Sequence, residues 1–192
     1  MDDMPGGSQL VGERPDAGRQ ALSVMEEQNL GHALTLSGRT RRILRPVETF
    51  NLFSGQTDQG PPDKEGYRCT AARLGSKLGG SRLVMSVYDI PPGEAIGTYH
   101  FEWTDEEWLI ALDGRPAIRT GEGEETLNAG DVVAFPAGPK GAHQVRNATD
   151  EPVRVAIFST MNEFGIVEYP EDEKVGIWAG DTDFVLDRPK DS

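Results

Sequence analysis

The chain has 192 residues, with 19 Lys and Arg against 32 Asp and Glu for a formal net charge of −13. A surface this acidic repels phosphate backbones and anionic lipid, so neither nucleic-acid nor membrane partners are expected. The single cysteine, Cys69, excludes an internal disulfide and a thiolate cluster. With no charged-then-apolar leader and no apolar run of membrane-spanning length, a cytoplasmic protein with one buried core is expected.

Residues 1–46 read as a flexible N-terminal extension, because their first twenty positions are rich in Gly, Pro and charge and poor in large apolar groups. The run ALSVMEEQNL from Ala21 predicts a short helix before Gly31, with Leu22, Met25 and Leu30 as a partial apolar stripe. The basic cluster Arg39, Arg41, Arg42 and Arg45 reads as a solvated linker, and His32 as a loop histidine.

After Pro46 the texture changes to short apolar runs closed by turn signals, from ETFNLF through SRLVMSVYDI, EEWLIAL and DVVAFPAG to VRVAIFST. Many short strands with no long helical period between them predict an all-β sandwich or barrel over residues 47–168. Within it, PAIRTGEGEETL predicts a hairpin with GEGE at its tip, and AGDVVAF a strand opening after a tight turn. Residues 169–192, acidic and turn-rich, are expected to pack on the barrel exterior through Ile177, Trp178 and Phe184.

Two of the three histidines stand in linked patterns: Gly93-x6-His100-x-Glu102-x4-Glu107-x6-Gly114, then Gly130-x5-Pro136-x-Gly138-x4-His143-x3-Asn147. Strand alternation puts His100 and Glu102 on one face and Tyr99, Phe101 and Trp103 on the other. On the next strand Glu106 and Glu107 point opposite ways, and alternation alone leaves either as the inward one. His143, Val145 and Asn147 share a face. Imidazoles and carboxylates gathered around one point suit a first-row divalent ion and leave positions open for water, substrate or O₂.

These two segments resemble the two motifs of the cupin superfamily, whose fold is a double-stranded β-helix or jelly-roll barrel. The similarity spans about residues 65–165 and looks like that of single-domain bacterial cupins of undefined activity. The family's first motif runs Gly-x5-His-x-His-x3 or x4-Glu-x6-Gly and its second Gly-x5-Pro-x-Gly-x2-His-x3-Asn. The resemblance therefore implies a metal held by His100, Glu102, Glu107 and His143, with Glu107 chosen over Glu106 because it stands six residues before Gly114. Two loops are longer than the pattern, and Glu102 stands where a histidine is expected. That exchange hardens the donor set toward Mn or Fe(II) and away from Cu, while Fe, Mn, Zn and Ni all stay compatible. The alternative is a metal-free pocket with hydrogen-bonded histidines.

The function implied is a metal-dependent cupin, an oxidoreductase, isomerase or lyase acting on a small polar molecule, and as a homodimer. Two alternatives accompany it: a non-catalytic small-ligand or sugar-binding cupin, and a metal-free cyclase or isomerase in which Glu107 and His143 are the catalytic acid and base. Tyr88, Tyr99, Arg119 and Arg146 are candidates to orient an anionic or hydroxylated substrate. Trp103 and Trp108 are expected off the cavity, in packing or a subunit interface.

Overall fold

Period-2 alternation sets the inward face of the central strands of the computed structural model, which describes residues 47–188 apart from 59, 61–63, 76 and 181. The short helix expected after Ala21, the basic cluster and His32 lie outside the described residues. Twelve strands follow one another: β1 (Thr70–Arg73), β2 (Leu83–Ile90), β3 (Phe101–Glu102), β4 (Glu107–Asp113), β5 (Ala117–Thr120), β6 (Gly123–Thr126), β7 (Val132–Phe135), β8 (His143–Arg146), β9 (Val153–Thr160), β10 (Phe164–Tyr169), β11 (Lys174–Ala179) and β12 (Thr182–Asp187). A 3-10 turn at Pro139–Gly141 leads into β8, and no α-helix occurs among the described residues. The all-β expectation therefore holds. No helix among these residues is long and apolar enough to cross a membrane.

The strands form three antiparallel sheets, ordered β1-β2-β9-β4-β7, β12-β11-β10-β3 and β6-β5-β8. On the inner face of the first, Ile90, Leu109, Val153 and Val155 join Ile118 and Val145 of the third in a dry core. Continuing along the same inward faces, the residues turn polar: Ser86 and Tyr88 on β2, Glu107 on β4 and Ser159 on β9 all line one cavity. One end of the barrel is thus sealed by burial, worth roughly 25 cal/mol per Å² of apolar surface, and the other is left as a polar cavity.

The outer face of the five-stranded sheet is also apolar. Val87, Ala156 and Leu112 there are buried with Ala72 and Leu74, and Phe50 and Leu52 of the leading segment pack against them. That segment is pinned by Arg154, whose guanidinium pairs with Asp89 and donates to the carbonyls of Leu52 and Gly55. Farther along the face, Leu83, Trp108 and Val132 stand exposed.

The predicted β5–β6 hairpin forms, but it is tighter than expected: Thr120 pairs with Gly123, so only Gly121 and Glu122 make the turn. Gly123 takes part in the ladder at φ 138, a conformation that favours glycine. Beyond Tyr169 the chain continues the same sheet through β11 and β12. Trp178 folds across Gly165, its cross-strand partner, where any Cβ would collide with the indole. Its ring thereby reaches the cavity, while Phe184 lies exposed on the edge strand β12.

Candidate metal centre

His100 and His143 are hydrogen-bonded to each other through the backbone: His100 N donates to His143 O at 3.0 Å and His143 N to His100 O at 2.8 Å. This isolated antiparallel bridge ties the segment before β3 to the start of β8. Side chains of such a pair leave on the same face. Their ring centroids accordingly lie 4.8 Å apart.

Each ring is fixed by its other nitrogen. His100 Nδ1 lies 2.8 Å from Thr98 O, and His143 Nδ1 lies 2.8 Å from Gly141 O. A carbonyl oxygen only accepts, so in both rings Nδ1 carries a proton, and in its neutral form each imidazole presents a lone pair at Nε2. Gly141 is buried in the turn before β8, where a Cβ would overlap Pro136 O, so the carbonyl that orients His143 depends on glycine. Phe135 stacks on His143, with centroids 3.6 Å apart and planes 3° from parallel. That packing excludes water from His143, which is 2 % exposed. Burial, reinforced by the neighbouring His100, pulls its pKa down to about 3, so it is neutral across the physiological range.

Glu107 supplies the third donor from β4. Its Oε2 lies 3.6 Å from His143 Nε2 and 3.9 Å from His100 Nε2, and the three donor atoms fall within 4.8 Å of one another. A divalent ion at about 2.0–2.2 Å from each donor requires donors roughly 3–3.5 Å apart, so the observed spacings would close slightly around an ion. Two imidazole lone pairs and a carboxylate, already turned toward a common point and held by carbonyl partners on the far side of each ring, fit such an ion. These three residues could hold a metal.

Glu102 is buried on the same wall and lines the cavity, but it does not belong to the converging trio. Glu106 points to solvent and accepts from Trp108 Nε1 at 3.0 Å. The alternation on β4 thus resolves as the Gly114 spacing implied. Asn147, just past the end of β8 and buried, serves the fold: its amide donates to Ile90 O and Glu151 O while its oxygen accepts from Thr149.

The cavity above these donors has a volume of about 210 Å³. Of the four candidates for substrate orientation, only Tyr88 lines it. Arg119 and Arg146 follow Ile118 and Val145, both core residues, so alternation turns them outward. There they pair with Glu171 and Glu124, and Arg119 also covers the Tyr99 ring. The lining includes a different cation, Arg73. Its signal was present in the sequence: it stands two and four residues after Ala71 and Cys69, both inward-facing core residues.

Residues 86–159 match the family model described as the Cupin domain. No curated protein matches the chain. Among solved structures, a sugar phosphate isomerase of the cupin superfamily from Silicibacter pomeroyi is 22 % identical, with TM-score 0.60 over 65 % of this chain and 81 % of that one. A protein described as a candidate sugar phosphate isomerase from Acidithiobacillus ferrooxidans gives 22 % identity and TM-score 0.60 over 64 % and 78 % of the two chains. The polyketide cyclase RemF from Streptomyces resistomycificus is 15 % identical, with TM-score 0.50 over 61 % and 81 %. At these identities the likeness is one of fold.

Proposed function

We infer that this chain, which belongs to the cupin superfamily, is a metal-dependent protein acting on a small polar molecule in the barrel cavity. The observation that carries the reading is the convergence of His100 Nε2, His143 Nε2 and Glu107 Oε2, with both Nδ1 atoms committed to backbone carbonyls. His100, Glu107 and His143 would hold a divalent first-row ion, and Glu102 is the fourth candidate ligand from the same wall. When bound, such an ion supplies Lewis-acid polarisation of a substrate oxygen or lowers the pKa of water.

The chain's own residues supply the rest. Phe135 and the apolar floor of Leu109 and Val155 exclude water beneath the donors. Ser86, Tyr88 and Ser159 offer hydroxyls to a polar ligand, and Trp178 and Tyr169 wall the cavity on the β10–β11 side. A cavity of about 210 Å³ limits the ligand to metabolite size. The two sugar phosphate isomerase relatives support a small-molecule ligand without naming this one.

Metal analysis of the purified full-length chain tests the centre, and turnover of small acids, sugars and catechols with and without the ion tests the chemistry. Metal binding without turnover favours a ligand-binding cupin. Turnover that survives removal of the ion favours acid–base chemistry by Glu107 and His143.

A further inference from the structure

Among the described residues, Arg73 is the only Arg or Lys that lines the cavity. It closes the inward row Cys69, Ala71, Arg73 of the β1 region, whose first two members belong to the dry core. It is paired across β1–β2 with Ser86, and Ser86 and Tyr88 leave the same face of β2 into the same cavity. The Tyr88 hydroxyl bonds to Ser86 and lies within electrostatic reach of both Arg73 and Glu107. Among the described residues no carboxylate forms an ion pair with Arg73, whereas Arg68, Arg119, Arg146, Arg154 and Arg188 each have one. A half-buried guanidinium aimed into a cavity calls for an anion to meet it.

The charge of the wall limits which anion. Glu102, Asp105, Glu107 and Asp183 also line the cavity, and Asp105 is occupied by Thr160 and Asn162. With these carboxylates ionised, one guanidinium and a divalent ion still leave the wall at about −1, so added negative charge is opposed, and a dianionic phosphate about twice as strongly as a monoanion. A monoanionic carboxylate meets the smaller opposition, and its planar pair of oxygens matches the guanidinium fork.

We propose that Arg73, with the Ser86 and Tyr88 hydroxyls, is the subsite for the carboxylate of a small hydroxy- or oxo-acid whose second oxygen reaches toward His100, Glu107 and His143. The second half of this assignment rests on the metal reading above; the carboxylate subsite stands on Arg73 and its neighbours alone.

Calorimetric titration of the zinc-loaded, full-length chain with racemic lactate and with propane-1,2-diol, its neutral counterpart, tests the assignment. Lactate binds at least about tenfold more tightly than the diol, and Arg73→Gln abolishes that preference without changing zinc content. Arg73→Lys keeps the charge, retains part of the preference and guards against a folding artefact. Equal binding of lactate and diol, an undiminished preference in Arg73→Gln, or inorganic phosphate binding more tightly than lactate would each overturn it. Acetate titrated into chelator-stripped chain separates the two readings. Acetate binding that depends on Arg73, in a chain that takes up no zinc, upholds the carboxylate subsite while the metal centre fails. Zinc uptake with ligand binding indifferent to Arg73 does the reverse, and a wild-type chain that binds neither lactate nor acetate counts against the subsite.

Discussion

His100 and His143 exchange both of their backbone hydrogen bonds, and this one bridge brings the two motifs to a single point. The pairing fixes the direction of both side chains before any ligand is present. It also means that the imidazoles do not depend on long side-chain reach for their alignment, since each is held by a carbonyl two residues before it. Glu107 needs only to arrive on the inward face of β4.

The three acidic candidates should therefore separate by affinity. Glu107→Gln removes a converging carboxylate and is expected to weaken metal binding by about 10²-fold or more, Glu102→Gln by less, and Glu106→Gln not at all. Competition with a chromophoric chelator measures all three. Equal losses for Glu106→Gln and Glu107→Gln would mean that the inward assignment on β4 is wrong.

Acid should destabilise the metal-free chain through His143. Its folded pKa, about 3, lies below the ordinary value of 6.5. The unfolded chain therefore takes up this proton first, and the contribution present above pH 6.5 is lost as pH falls from there toward 3. The slope is at most about 1.4 kcal/mol per pH unit. Urea melts of stripped wild type and His143→Phe across that window should show a flatter acid limb in the variant, and parallel limbs would contradict the burial argument.

Asn147 reads as part of the second motif, yet its role is architectural. Asn147→Ala leaves the carbonyls of Ile90 and Glu151 without this donor and should cost about 2–4 kcal/mol, with little change in metal affinity per folded chain. Denaturant melts and chelator competition read the two quantities separately. A selective loss of metal affinity with unaltered stability would reverse the assignment.

Leu83, Trp108 and Val132 share the outer face of the five-stranded sheet, between 49 and 58 % exposed. If that face is a homodimer interface, light scattering after size exclusion should give twice the 20.9 kDa chain mass, and Trp108→Arg should halve it. A monomeric wild type removes the dimer expectation.

Much of the barrel end of this architecture was legible because period 2 is unforgiving. Once His143 is inward, Val145 and Asn147 must be, and the same rule sends Arg146 out to Glu124. The Gly114 spacing likewise separated Glu107 from Glu106. What alternation could not give is which strand lies beside which. Arg73 enters the cavity because β1 pairs with β2 at the Ser86 position, a contact between segments with no motif to join them. Trp178 was expected as an exterior anchor, and its place beside the cavity depends on Gly165, its partner on the preceding strand β10. Side chain reach across a sheet, unlike face, is set by such pairings.

The most direct measurement is the content of Mn, Fe, Ni and Zn per chain, by plasma mass spectrometry, in full-length protein purified without chelator, for wild type and His100→Ala. Wild type should carry about one ion per chain and His100→Ala should lose most of it. A wild type with far less than one ion per chain that takes up none on loading, or a His100→Ala variant with unchanged content, would contradict a metal centre at His100, Glu107 and His143.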